Sequence, residues 1–420
     1  MDNTRPLNIW IFNHHALTPN LPGGTRHFDF ARELVKRHHS VTIFASSFHY
    51  SLLKETKEYG SGLYYVAEFV DRVRFFWFRT IPYSKNNIFR VLNMLSYSYR
   101  AYSQALMLKA EKPDLIIGSS VHLFAVYAAQ KVAGKLKIPF VMEVRDLWPQ
   151  TLIDMGVPKY HPFIVLLAGL ERFLYKKAEK IITLLPKAHE YIEQIRVPRD
   201  KIVWIPNGVD AERSEKPKDL QANSGKFTVT YAGAIGKANN LDVLLQTALL
   251  LRDDYPAIRF CIVGNGPEKS RLVALSEDLS LNNVEFRDTQ PKEKIYEILG
   301  ASNALFFNLK DSPVFRYGIS SNKLFDYLAS GKPTIFSCKA GNNPVQEAGA
   351  GVTVSPENPK ETANAILQLY NMSEEERVRM GRNGIDHVYE NYSIRVLVDR
   401  LEDTLYEAWR YYRAHCQKNM

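Results

Sequence analysis

The stretch Tyr317-Gly318-Ile319-Ser320-Ser321-Asn322-Lys323-Leu324-Phe325-Asp326-Tyr327-Leu328-Ala329-Ser330-Gly331-Lys332-Pro333 reads as a loop, a helix and the first residue of a strand. Gly318 with Ser320, Ser321 and Asn322 suits a helix entry, where small oxygen-bearing side chains cap free N–H groups. Gly331 stops the helix and Pro333 opens the next extended run, because proline cannot continue a helix but tolerates the first position of a strand. The apolar runs on either side, 304–308 and 333–337, read as strands. A strand, a crossover helix and a second strand make the repeating unit of a parallel sheet.

That alternation runs the length of the chain and occurs in two series. The first predicts strands at 8–13, 41–45, 114–118, 139–143, 180–184 and 202–205, with helices that include 26–36 and 121–135. A polar segment, 211–226, follows and reads as a linker. The second series predicts strands at 227–232, 259–264, 284–286, 304–308, 333–337 and 352–354. The expected class is therefore α/β, with two Rossmann-like, doubly wound domains at 1–210 and 211–390. In 391–420, Leu397, Leu401, Leu405 and Trp409 recur every four residues, the spacing of one helix face. Ligands of such sheets gather beyond the carboxyl ends of the strands, so chemistry is sought in those loops.

Composition narrows the function classes. A chain of 420 residues exceeds one ordinary core. Hydrophobic residues at 45% and charged residues at 24% match folded globular proteins, with no tract that argues for disorder. No apolar run reaches the roughly 20 residues needed to cross a bilayer, and the start lacks a secretory signal, so the expected place is the cytoplasm. Cys261, Cys338 and Cys416 suit neither a disulfide framework nor a zinc cluster. The net charge of +9 favours anionic partners. Without a zinc finger, an aromatic RNA-binding motif or a long Lys/Arg run, nucleic acid is not an expected partner.

Three glycine-bearing loops carry candidate chemistry. In Pro22-Gly23-Gly24-Thr25-Arg26, the glycines let backbone approach a ligand and the following helix N-terminus attracts an anion, although an isolated Gly-Gly also serves a plain tight turn. In Gly233-Ala234-Ile235-Gly236-Lys237, Gly233 and Gly236 allow close approach and Lys237 offers a mobile cation; a solvated loop lysine fits equally well. Val263-Gly264-Asn265-Gly266-Pro267 repeats the strand-glycine-helix design and reads as structural support. In the opening stretch, Asn322 and Asp326 lie four residues apart on one helical face, where a carboxylate can accept hydrogen bonds from paired ribose hydroxyls.

The run 323–333, with Ile205-Pro206-Asn207-Gly208-Val209-Asp210, Val263-Gly264-Asn265-Gly266-Pro267 and Pro22-Gly23-Gly24, resembles the retaining GT-B-fold enzymes of glycosyltransferase family 4. Glu143-Val144-Arg145-Asp146-Leu147-Trp148-Pro149 and 318–333 are further similar to bacterial O-antigen and exopolysaccharide transferases, including the N-acetyl-L-fucosamine transferase group. The resemblance implies two domains facing a cleft, a last helix crossing back to the first domain, and transfer of a sugar, such as an N-acetylated amino sugar or deoxysugar, from a UDP donor. It places Gly23 and Gly24 near the donor diphosphate, the backbone of Ile319, Ser320, Ser321 and Asn322 on phosphate, and Asp326 on ribose. Gly318 stands where relatives often carry the first Glu of a Glu-x7-Glu pair. Ala234 and Asn239 stand where many carry Arg and Lys, and Arg145 where many carry histidine.

Lys237, Lys323 and Arg145 are thus the expected catalytic residues, the lysines countering charge on the departing diphosphate. No metal is expected, since no Asp-x-Asp pair occurs to hold a divalent ion, and no cofactor is expected beyond the nucleotide sugar, which is the substrate. The acceptor is expected to be a polyprenyl-diphosphate-linked saccharide at an anionic membrane, with the protein peripheral on its inner face. The aromatic and basic segment 72–109, in which Ile88, Val91, Leu95, Tyr99, Tyr102 and Leu106 follow helical spacing, is the candidate docking surface or alternatively a helix packed on the sheet, and 161–177 is a second candidate. The departures leave two alternatives, a catalytically silent nucleotide-binding partner subunit and a GT-B-fold sugar-nucleotide epimerase.

Overall fold

The computed structural model describes residues 5–85, 87–210 and 225–418. Contacts divide the chain into two compact units, one running to Pro206 and resuming at Ile394, the other spanning Asn207–Ser393. The linker expected at 211–226 lies almost wholly outside the described residues.

The first unit contains β1 (Asn8–Phe12), α1 (Arg26–Lys36), β2 (Ser40–Ser46), a short hairpin of β3 (Phe48–His49) and β4 (Lys54–Glu55), β5 (Tyr65–Val70), β6 (Val73–Phe78) and α2 (Ile88–Met107). It continues with β7 (Leu115–Ser119), α3 (Leu123–Leu136), β8 (Phe140–Val144), α4 (Gln150–Asp154), α5 (Pro162–Lys177), β9 (Lys180–Thr183), α6 (Ala188–Gln194) and β10 (Ile202–Trp204). Among the described residues, its main sheet has the order β10-β9-β8-β7-β1-β2-β6-β5, parallel except for β5 against β6. The second unit contains β11 (Phe227–Ala232), α7 (Asp242–Leu251), β12 (Ile258–Val263), α8 (Lys269–Asp278), β13 (Val284–Arg287), α9 (Lys292–Gly300), β14 (Ala304–Asn308) and α10 (Asn322–Ala329). It ends with β15 (Thr334–Ser337), α11 (Pro344–Ala348), β16 (Gly351–Val354), α12 (Pro359–Asn371) and α13 (Glu374–Tyr392), and its parallel sheet runs β13-β12-β11-β14-β15-β16.

The last helix, α14 (Ile394–Lys418), belongs to the first unit. Leu397, Leu401 and Leu405, the residues spaced by four, are buried in one cluster with Ile9, Ile11, Phe28, Phe75 and Trp77. Burying three leucines there contributes roughly 1.5–3 kcal/mol each, which holds the end of the chain against α1 and the sheet.

Within the segment 72–109, the aromatic run of β6 is buried, while α2 keeps an exposed apolar face. Phe75, Phe76, Trp77 and Phe78 are not exposed; they alternate across β6 and are all buried. Phe75 stacks on Trp77 at 4.7 Å on one face, and Phe76 stacks on Phe44 at 5.4 Å on the other. A strand covered by helices on both sides reads as a continuous apolar run, and here that run is aromatic. α2 is amphipathic in the opposite sense to its sequence spacing. Its packed side carries Asn93, Met94, Tyr97, Ala101 and Gln104, whereas Ile88, Phe89, Leu92, Leu95 and Tyr99 are exposed. Asn93 is satisfied on the packed side, donating to Thr80 Oγ1 and to the Ile81 carbonyl at 2.8 Å each, and the Tyr97 hydroxyl donates to the Phe44 carbonyl at 2.6 Å.

Candidate functional site

In the second unit the predicted residues converge at the carboxyl end of β11. The loops after β11 and β12 are laced together: Gly233 N–H donates to the Val263 carbonyl at 3.0 Å and Ile235 N–H to the Asn265 carbonyl at 2.9 Å. Gly264 makes this possible, because a Cβ there would lie 2.0 Å from the Gly233 carbonyl oxygen. The third glycine loop is therefore a support for the second. α10 is fixed to the same place by Tyr327, whose hydroxyl donates to the Ala232 carbonyl at 3.0 Å and accepts from the Ala232 N–H at 2.7 Å.

That docking brings Lys323 over Gly233. A Cβ on Gly233 would come 3.1 Å from Lys323 Cδ. The Lys323 ammonium donates to the Tyr231 hydroxyl at 3.1 Å and lies 4.7 Å and 5.0 Å from the ring centres of Tyr231 and Phe307. The Asn239 amide is satisfied when its oxygen faces this ammonium at 2.7 Å and its NH2 donates to the Ala234 carbonyl at 2.7 Å. Burial lowers the Lys323 ammonium to a pKa of about 7, since the charged form loses water that these groups only partly replace. Asn239, where relatives often carry lysine, thus serves as an acceptor that orients a cation arriving from another element.

At the entry to α10, Ser321 stands at the N-cap without a side-chain hydrogen bond to the first turn. The backbone just before it is held by two asparagines: Ile319 N–H donates to Asn342 Oδ1 at 2.7 Å, and Asn207 donates its N–H to Ser320 Oγ at 2.8 Å and its Nδ2 to the Ser320 carbonyl at 2.6 Å. The Ile319 N–H, expected to meet phosphate, is thereby engaged within the protein, and Ile319 acts to shape the loop. Gly318 adopts φ +108°, a left-handed conformation that costs a glutamate strain but not glycine, consistent with glycine where relatives carry the first Glu. One turn into the helix, Asp326 accepts from the Tyr296 hydroxyl at 2.7 Å. Lys237 stands apart, exposed, beside a depression of about 200 Å³ that it lines with Gly236, Asn240, Arg271 and Lys310.

In the first unit, Gly23 and Gly24 lie between β1 and α1, and the Pro22 carbonyl is 2.9 Å from His49 Nε2. Directly after them sits a buried network that sequence reasoning left unassigned. Arg26 Nε donates to Glu143 Oε1 at 2.9 Å, and its other nitrogens reach the carbonyls of Ile205, at 2.9 Å, and of Pro206. Glu143 Oε2 accepts from Ser119 Oγ at 2.6 Å and lies 2.6 Å from His27 Nε2. Burial alone pushes the Glu143 carboxyl up, but His27 and Arg26 outweigh it and hold the group well below the usual glutamate range. Arg145 follows β8, its N–H donating to Ser120 Oγ at 3.1 Å. The signal for this network was the Glu143-to-Pro149 motif, which names Glu143 but not its partners on α1.

A sequence model of the group 1 glycosyl transferases matches residues 212–387, and one of Glycosyltransferase Family 4 matches residues 23–213. The chain is 22% identical over 304 residues to WcaI of Escherichia coli, named as a colanic acid biosynthesis glycosyl transferase, covering 69% of this chain and 74% of that one. It is 26% identical over 170 residues to LpsD of Rhizobium meliloti, a lipopolysaccharide core biosynthesis glycosyltransferase, covering 40% and 46%. Among solved structures, Anabaena HepE with bound UDP superposes with a TM-score of 0.67 at 14% identity, covering 95% of this chain and 99% of that one. The lipopolysaccharide enzyme WaaG superposes with 0.65 at 13% identity, covering 94% and 99%. With both sheets built as these structures build theirs, and the two family models spanning the chain from residue 23 to residue 387, the protein belongs to the family 4 glycosyltransferases of GT-B fold.

Proposed function

We propose that this glycosyltransferase moves a sugar from a UDP donor to a lipid-linked saccharide, with retention and without a metal, in building a bacterial surface polysaccharide. The observation that carries the reading is Lys323, caged by Tyr231, Phe307 and Asn239 above Gly233 and next to the entry of α10. Cleavage of a sugar-diphosphate bond leaves charge on the diphosphate while the sugar becomes oxocarbenium-like, and a preorganised cation with a helix N-terminus answers that charge. Asp326, one turn along, suits the ribose hydroxyls. Relatives named for colanic acid and lipopolysaccharide synthesis, and structural neighbours solved with UDP or UDP-glucose, favour the pathway class and the nucleotide. The narrower motif likeness favours an N-acetylated amino sugar or deoxysugar.

UDP is expected to raise the melting temperature more than GDP or dTDP, because a ligand that binds only the native state stabilises it by mass action. Proton NMR of the product in EDTA is expected to show the donor's anomeric configuration. An inverted product, or activity lost on chelation and restored by a divalent ion, rejects retention or metal independence respectively. Turnover of the nucleotide sugar without acceptor selects the epimerase reading, and binding without turnover selects the silent partner.

The acceptor side of the proposal includes docking on an anionic membrane. No described helix is long and apolar enough to cross a bilayer. Instead α2 exposes Ile88, Phe89, Leu92, Leu95 and Tyr99, and basic side chains lie on the neighbouring helices: Lys131 of α3 sits 5.1 Å over the Tyr127 ring, and α5 ends in Lys176 and Lys177. Apolar residues flanked by cations suit the headgroup boundary. The protein is expected to sediment with vesicles containing phosphatidylglycerol and not with pure phosphatidylcholine, and L92E/L95E to remain in solution. Equal sedimentation of the variant and the wild type would overturn the assignment to α2.

A further inference from the structure

Asp326 is tied to a second helix. Its Oδ1 accepts a hydrogen bond of 2.7 Å from the hydroxyl of Tyr296, which stands 30 residues earlier on α9. That helix is itself seated. It packs on β11 and buries Leu299 completely, and Tyr296, three residues before Leu299, lies on the same side of the helix. Just beyond its end, Ser302 Oγ lies 2.8 Å from the Ile298 carbonyl and 2.6 Å from Thr230 Oγ1 of β11. α10 is referred to the same strand by Tyr327, whose hydroxyl bridges the N–H and carbonyl of Ala232. The Tyr296 bond therefore joins two helices that are both fixed on β11.

Backbone packing alone does not set a side chain. An aspartate on a helix has more than one staggered rotamer, and a donor on a neighbouring helix selects among them. Burial, and then the Asp326 charge, raise the Tyr296 phenol above its ordinary value, so the proton stays on the hydroxyl and is donated. A carboxylate offers about four acceptor positions, so this bond is compatible with ligand hydroxyls on the same group. The two groups that the donor reading uses stand three residues apart on α10, and each meets a tyrosine of another element: Lys323 meets Tyr231 of β11, and Asp326 meets Tyr296 of α9.

We propose that Tyr296 is a positioning residue that makes the donor site select ribonucleotides over deoxyribonucleotides, by holding the Asp326 carboxylate where the ribose hydroxyls reach it. This rests on the reading of Asp326 as the ribose acceptor, and adds the group that gives that acceptor its selectivity. A carboxylate free to swing turns to solvent when a hydroxyl is missing, and then discriminates little. One held by its neighbour is left unpaired against a deoxy sugar, and a site built to bond a hydroxyl rejects the analogue that lacks it.

The test measures Kd by calorimetry for UDP, 2′-deoxy-UDP and 3′-deoxy-UDP on the full chain as wild type, Y296F, D326N and Y296F/D326N. The wild type is expected to favour UDP over at least one deoxy analogue. Y296F is expected to weaken UDP about tenfold and the disfavoured analogue much less, so that the preference shrinks. In the D326N background the same change is expected to add nothing, because the carboxylate it acts through is gone. Equal weakening of UDP and both analogues by Y296F makes Tyr296 a packing residue of α9 and overturns the proposal. So does a further loss of preference in the double variant. The D326N arm separates this inference from the reading beneath it. No preference in the wild type, or a preference that D326N keeps, rejects Asp326 as the ribose acceptor. A preference lost in D326N but kept in Y296F leaves that reading standing and overturns the role of Tyr296 alone.

Discussion

K323M is expected to lower kcat/KM for the sugar donor by about 10²–10³-fold, the size of effect seen when one preorganised charge-stabilising group is removed from a transition state. The same lysine is expected to set the pH dependence. With its pKa at about 7, the free enzyme carries the ammonium below that pH and loses it above. Donor kcat/KM should therefore fall about tenfold per pH unit on the alkaline side, and K323M should flatten that limb. Stability should respond in the opposite sense. The native pKa lies below the ordinary lysine value of 10.5, so the unfolded chain binds more protons between about 7 and 10.5, and Lys323 becomes less destabilising as pH rises through that window. At pH 6, K323M should melt above the wild type. A variant that is both less active and less stable would mark Lys323 as a packing residue.

Much of this arrangement was legible in the chain, and the reasons differ between fold and site. Strands buried on both faces of a parallel sheet read as short apolar runs, so β1, β2, β7 and β11 begin and end within about a residue of the positions their composition predicts. β6 was missed because Arg72, Arg74 and Arg79 frame its aromatic residues and give the segment the look of a basic surface. α2 was legible as a helix but not in its orientation. Its apolar spacing marks Ile88, Leu95 and Tyr99, yet the packed face holds Asn93 and Gln104, whose polarity periodicity counts against burial.

The glycine loops and the α10 entry were found because close backbone approach leaves a mark in residue type. The Lys323 cage was not: Tyr231, Asn239, Phe307 and Lys323 are scattered over 93 positions of sequence, from 231 to 323, and meet only when β11, β14 and α10 pack. The same holds for Arg26 with Glu143, 117 residues apart. Reading a departure from a family pattern as a loss is also unsafe. Asn239 lacks the positive charge expected at its position, but its amide oxygen faces the Lys323 ammonium at 2.7 Å, so a cation stands at that place from another element.

R26M should destabilise the first unit by about 3–5 kcal/mol, because it leaves the Glu143 carboxylate buried without its guanidinium and frees the carbonyls of Ile205 and Pro206. The measurement can be confined to that unit. All five tryptophans, Trp10, Trp77, Trp148, Trp204 and Trp409, lie in residues up to Pro206 or beyond Ile394, so urea unfolding followed by tryptophan fluorescence reports on it alone. E143Q strands the opposite charge and should cost a similar amount, whereas R26M/E143Q should cost less than the sum of the two by about 1–3 kcal/mol, as coupled partners do. The pH profile gives a second sign. Glu143 is held well below the usual value of 4.5, so its contribution is present above that value and is lost as pH falls through the native pKa. The wild type should therefore lose stability in acid more steeply than E143Q. If R26M costs under about 1 kcal/mol, within the range of an exposed pair, the network does not anchor the segment at Ile205 and Pro206 that follows β10. The position of the Gly23-Gly24 loop would then have to come from the His49 contact to Pro22 and from the packing of α1 on α14.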